Sequence, residues 1–169
     1  MNKNEITFET HADMEKYLFD KYPVIFGDRT KPMTETCMCW GISCEKGWFK
    51  ILNELCENVQ LIADTTGIQL VADQVKEKYA TLHFYWHTER VPTLESTGTF
   101  TDEQCLIWYN IIDNIVNQAE ERSGRTCEEC GEYGKVCGKG WYKTLCKKCA
   151  DKDPRYSYVE GNQYAVPIK

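Results

Sequence analysis

An α+β body carrying a short cysteine-rich appendage is the architecture this sequence predicts, and three observations predict it. Two stretches, residues 48–62 and 105–119, repeat apolar residues at helical spacing. Between them IQLVADQVKEKYATLHFYWH alternates as strands do. Beyond the second helical stretch stand two Cys-x-x-Cys pairs, Cys127/Cys130 and Cys146/Cys149, with fifteen residues between them.

Taken in order, Thr10 with Asp13 opens a first helix that places Met14, Tyr17, Leu18 and Lys21 on one face. Tyr22-Pro23 ends it, because a residue before proline avoids the helical region. Residues 23–45 read as irregular, broken by Pro23, Gly27, Pro32 and Gly41. Gly47-Trp48 leads into the second helix, over residues 47–64, whose stripe is Trp48, Leu52, Leu55, Val59 and Ile62, with Gly67 as its C-terminal cap. An antiparallel pair of strands follows, joined around residues 78–81, with Leu82, Phe84 and Trp86 on one face. Residues 88–100 read as a polar loop. Thr101 and Gln104 then form a capping box for a helix over 102–122, with Cys105, Trp108, Tyr109, Ile112, Val116 and Ala119 along its core stripe. The tail after Asp153-Pro154 is mostly polar, with a short strand expected over 156–159.

The expected division is a body at residues 1–122 and a ribbon with its tail at 123–169. A segment as short as the latter needs a staple. The spacing of the four cysteines is that of a zinc ribbon, and four thiolates around one ion leave no open position for water or substrate, so the zinc is expected to be structural. Ser123-Gly124 is so short a joint that the ribbon is expected to dock on the body. Cys137, between the pairs, reads as a small buried hydrophobe. Cys37, Cys39, Cys44 and Cys56 offer a second set of thiols. An extended Cys-x-Cys throws successive side chains to opposite faces, and core burial is the favoured reading.

Charge is uneven. Residues 1–121 carry ten Lys/Arg against twenty Asp/Glu, and residues 122–169 carry ten against six. The acidic body repels nucleic acid and anionic membranes, while the basic tail attracts them. No window approaches a membrane span, and the first residues lack the apolar run of a signal peptide, so a reducing, cytoplasmic setting is expected, in which paired cysteines bind metal.

Several polar groups are candidate contacts. Lys76, Lys78, His83 and Tyr85 surround the strand pair and could hold a small anion such as a nucleotide; a solvated sheet face is the plainer reading. His83 and His87 lie about 13 Å apart along a strand, too far for one ion. In the tail, Trp141, Tyr142, Lys143, Lys147, Lys148, Arg155, Tyr156 and Tyr158 interleave rings with cations, which suits stacked bases and phosphates as well as a covered metal site. No Gly-x-Gly-x-x-Gly, Walker loop or Gly-x-Ser-x-Gly is present, and the three histidines mark no general-base system. The chain is therefore read as a non-enzymatic binding protein.

The runs GWFKILNELCENVQ, QVKEKYATLHFYW and AEERSGRTCEECGEYGKVCGKGWYKTLCKKC resemble a family of uncharacterised proteins of tailed bacteriophages and prophages. Its members carry a glycine-tryptophan helix start, a "VKEKFGTLRFY"-like strand pair and a C-terminal knuckle. The resemblance spans roughly residues 37–150. Here Tyr79 and Ala80 stand where Phe-Gly is usual, His83 where Arg is usual, and Lys46 where an acidic residue is usual. The resemblance implies a phage source and a bacterial cytoplasm, and carries no activity. A host or viral macromolecule, with interference in a bacterial defence system as one use, is the expected partner. Nucleic acid and a small anion are the alternatives.

Overall fold

The computed structural model describes residues 6–90, 101–138 and 140–156. Most of the expected polar loop and all but Tyr156 of the expected tail strand lie outside the described residues. The fold is α+β: helices pack on a small sheet, and a two-stranded ribbon with a closing helical turn follows the last long helix.

Helix α1 spans His11–Lys21 and begins as its sequence requires, with the Asp13 N–H donating to Thr10 Oγ1 at 3.2 Å. It buries Met14 and Leu18. The connection that follows is not wholly irregular. It makes two short 3-10 turns, Gly27–Thr30 and Met38–Trp40, and then strand β1, Ile42–Ser43. That strand pairs in parallel with β2, with Ile42 opposite Val75. The sheet is thus mixed, not purely antiparallel, and two residues are too few to display the alternation that marks a strand.

Helix α2 spans Phe49–Thr66. It buries the expected stripe and adds Ile51, Cys56 and Ala63 to it. Gly67 closes it at φ 72°, a left-handed conformation that suits glycine, with its N–H on Ala63 O at 2.8 Å. Strands β2, Ile68–Lys78, and β3, Thr81–Arg90, pair antiparallel from Ile68↔Arg90 to Lys78↔Thr81. Strand β3 runs through Arg90 and so enters the stretch read as loop. Tyr79 and Ala80 make the turn with φ of 54° and 66°, the left-handed pair that a two-residue hairpin needs. β2 is buried on both faces from Ile68 to Ala72, where α2 and the two 3-10 turns pack against it, and its backbone is tied to the preceding segment by the Ala72 N–H on Ile25 O at 2.8 Å.

Helix α3 spans Asp102–Ser123 and carries the full capping box. It lies along the outer edge of β3, where the Leu82 N–H donates to Ser123 Oγ at 2.7 Å and the Phe84 N–H to Glu120 Oε1 at 2.9 Å. Those bonds satisfy edge groups that would otherwise recruit another strand. The buried residues of α3 are Ile112, Val116, Ala119 and Ser123. Cys105 and Trp108 are half-buried and Tyr109 is exposed, so the core stripe begins one to two turns later than its periodicity suggests.

The ribbon consists of β4, Lys135–Cys137, paired antiparallel with β5, Lys143–Leu145, and the helical turn α4, Lys147–Ala150. Among the described residues no helix is long and apolar enough to cross a membrane.

Candidate metal centre

Each Cys-x-x-Cys pair is folded by its own backbone. In the first, the Gly131 N–H returns to Cys127 O at 2.9 Å and the Cys127 N–H donates to Glu132 O at 2.7 Å. In the second, the N–H groups of Cys149 and Ala150 both reach Cys146 O, at 3.1 and 2.9 Å. Such knuckles bring two sulfurs to one side, and β4 and β5 bring the two knuckles together. The Sγ atoms of Cys127, Cys130, Cys146 and Cys149 all lie within 4.8 Å of one another.

The donor set fits a metal ion. A tetrahedral centre with metal–sulfur bonds of about 2.3 Å has sulfur–sulfur edges near 3.8 Å, and Cys130 and Cys146 stand at 3.7 Å. All four thiols are free of disulfides. Burial raises the Cys127 thiol to about 11, against backbone donors from Cys146, Cys130 and Glu129. Without a cation, four thiolates so close together repel one another, and a bound cation would stabilise all four. Cys127 and Cys149 are buried, Cys146 is half-buried, and Cys130 is exposed. Cys137 is not one of the set. It is buried beside Leu145, Ala150 and Tyr156, with its sulfur 3.3 Å from Lys135 O.

The ribbon is docked, as the short joint requires. The Trp48 indole donates to Thr126 O at 2.7 Å, the Gly47 N–H to Glu128 O at 2.7 Å, and the Glu45 N–H to Glu128 Oε1 at 3.1 Å. From the hairpin side, Ala80 O accepts from Thr144 Oγ1 at 2.7 Å. A Cβ at Gly47 would stand 2.3 Å from Cys127 O and 2.4 Å from Glu128 O, so glycine is the residue that lets α2 start against the first knuckle. The glycine-tryptophan helix start and the hairpin turn are therefore two walls of one cradle. Sequence reasoning read both as body elements only. The Gly-Trp pair, an unusual helix opening, was the available signal.

Glu128 is buried within this interface. Burial pushes its carboxyl up to about 7, against the nearby Lys143 ammonium, whose Nζ is 3.5 Å from Glu128 Oε2. A cleft of about 770 Å³ opens beside the centre, between Phe8, the start of α2 and the first knuckle, with Cys130 on its wall.

The other candidate contacts divide into two groups. On the open sheet face Lys76 stands opposite His83, the Lys76 ammonium lies 5.2 Å from the Tyr85 ring centre, and the His83 and Tyr85 rings stack at 6.1 Å. Lys78 turns away to the tip, over the Tyr79 ring at 5.3 Å. In the ribbon, Lys143 is drawn in between Glu128 and Glu129, and Lys147 pairs with Asp151 at 2.8 Å. Arg155 pairs with Asp153 at 2.6 Å. Trp141 is 72% exposed and Lys148 is exposed. The second set of thiols does not converge: Cys44 and Cys56 are core residues, the Cys39 sulfur lies on Thr36 O at 3.3 Å, and Cys37 is exposed.

Against family models, curated proteins and solved structures, the chain finds no match.

Proposed function

We propose that this chain is a non-enzymatic, zinc-stabilised interaction protein of phage type that binds a protein of the bacterial cell, host or viral. Zinc is the ion that four thiolates at tetrahedral spacing suit best, and a centre closed by four protein sulfurs has a structural role. The observation that carries the binding role is the N-terminal half of α3. Leu106, Ile107, Tyr109 and Ile111 are 59%, 57%, 46% and 37% exposed. Leu106 and Tyr109 stand on the wall of a groove of about 390 Å³ that Ile68, Thr88 and Cys105 also line, with Glu89, Arg90 and Asp102 at its charged side. Four large apolar side chains exposed within two turns of one helix are costly to leave in water and support a protein contact. Asp102 and Glu103 flank them, which suits a protein surface and repels a nucleic acid backbone. Blocking a component of a bacterial defence system is one use of such a surface.

The nucleic-acid alternative is supported by the exposed Trp141 and Lys148, but three of its cations are engaged with carboxylates of the ribbon itself. The small-anion alternative rests on the Lys76, His83 and Tyr85 face. Both can be tested by titration: nucleic-acid affinity that falls steeply with salt would favour the first, and a thermal shift with nucleotides the second.

The test of the main reading is affinity capture from bacterial lysate with the intact protein and with Ile107→Glu. The expected result is a partner retained by the parent chain and lost by the variant, with zinc content and fold unchanged. A partner held equally by both, or none at micromolar concentration, would refute it.

A further inference from the structure

A second constellation, remote in sequence from the ribbon, involves Asp28, Asp73 and His87. Their ligand atoms, two carboxylate oxygens and an imidazole nitrogen, all lie within 4.8 Å of one another. Three separate elements deliver them. Asp28 sits in the first 3-10 turn and is buried. Asp73 is the bulge residue of β2: pairing passes from Ala72↔Trp86 to Gln74↔Tyr85 and leaves it without a partner on β3. A bulge re-aims a side chain that strict alternation would place elsewhere, and Thr36 Oγ1 holds its carbonyl at 3.2 Å. His87 stands opposite Val71 on β3.

The imidazole is the informative group. Its Nδ1 is 2.8 Å from Asp73 Oδ1, and its Nε2 is 3.4 Å from Glu89 Oε1. A neutral imidazole has one N–H and one lone pair. With the hydrogen on Nδ1 the ring donates to Asp73; with the hydrogen on Nε2, directed at Glu89, the Nδ1 lone pair is turned to the Asp73 and Asp28 carboxylates and is free to ligate a cation that all three share. That is the arrangement of a metal-bound histidine whose other ring nitrogen donates to a carboxylate. Without a metal, the Nδ1–H tautomer or a doubly protonated ring satisfies the Asp73 contact. Nearby, the Lys31 ammonium lies 2.7 Å from Asp28 Oδ1. The two carboxylates are thus faced by a lysine ammonium and an imidazole, and a divalent ion would compete with the first and be ligated by the second.

The geometry points to Asp28, Asp73 and His87 as a second metal site, for a divalent ion that prefers oxygen and imidazole nitrogen to sulfur, such as Mn²⁺. Glu89 is a positioning residue that orients the ring, and Lys31 is the group the metal displaces from Asp28. Asp73 and His87 are only half-buried, so water can complete the coordination sphere. Ligand softness separates this site from the ribbon: thiolates select zinc, while carboxylates and imidazole accept manganese.

The experiment uses the full chain with its ribbon already loaded with zinc, titrated with Mn²⁺ and followed by the electron paramagnetic resonance signal of the free ion and by water-proton relaxation. One equivalent of Mn²⁺ is expected to bind and to enhance relaxation. Asp73→Asn and His87→Gln should each weaken binding by at least about tenfold, and Glu89→Gln by about tenfold. Lys31→Met should tighten it, an outcome that misfolding cannot mimic. No binding by the parent chain, or binding that is unchanged in both Asp73→Asn and His87→Gln, would overturn the assignment.

Discussion

Gly47 is the residue on which the joint between body and ribbon turns. The atoms its missing Cβ would meet are backbone carbonyls of Cys127 and Glu128, and these cannot swing aside as a flexible side chain could. Gly47→Ala should cost about 1–3 kcal/mol, the range for overpacking a well-fitted site. It should also speed hydrogen exchange at the Trp48 indole, whose N–H is buried on Thr126 O. Equilibrium unfolding and exchange measured on the same variant check both. The thiols make a second residue-scale expectation. Burial pushes the Cys44 and Cys56 thiols well up, and the thiolate is the reactive form. In the native, metal-loaded chain at neutral pH iodoacetamide should therefore modify the exposed Cys37 and leave Cys44 and Cys56 unmodified, as peptide mass spectrometry can show.

At the scale of elements, α3 does two jobs. Its second half is core, with Ile112 fully buried, and its first half offers Leu106 and Ile107 to solvent. Ile112→Ala should therefore cost about 2–5 kcal/mol, while Ile107→Ala should stay within about 0.5 kcal/mol. Urea unfolding of the two variants gives the contrast. The same helix shows what the sequence can reveal. Its start was legible from Thr101 and Gln104, and its apolar face from the 3.6-residue period. Where the core stops was not legible, because periodicity shows which residues share a face and not whether anything stands opposite. Likewise the β2–β3 pair was legible in its alternation, but β1 is two residues long and left no pattern. The bulge at Asp73 reads in sequence as an ordinary polar position, so the grouping of Asp73 with Asp28 and His87 exists only in three dimensions. His83 and His87 were rightly kept apart, and His87 found other partners.

At the scale of the whole molecule, the body has a core of its own, and among the described residues the ribbon has little more than Cys127, Cys137, Leu145, Cys149, Ala150 and Tyr156. So few apolar residues cannot hold a segment of that length. Four sulfurs around one ion can, since a structural zinc contributes about 10–16 kcal/mol in small peptides. Because the ribbon's backbone accepts the Trp48 indole, losing the ion should be felt in the body as well. Stripping the metal with a strong chelator is expected to unfold the ribbon, shift Trp48 fluorescence and expose Gly47, and leave α2 and the β2–β3 pair folded. The clustering of the four cysteines was the most legible part of this chain, because Cys-x-x-Cys spacing is local geometry. The cradle was not, since its members lie between 64 and 83 positions from the groups they hold.

The most direct measurement is X-ray absorption at the zinc edge on the purified, stoichiometrically assayed protein. The expected result is one zinc per chain with a shell of four sulfurs at about 2.3 Å, lost in Cys146→Ser. A chain that carries no stoichiometric zinc, a shell containing oxygen or nitrogen in place of sulfur, or cysteines joined by sulfur–sulfur bonds of about 2.05 Å would contradict it.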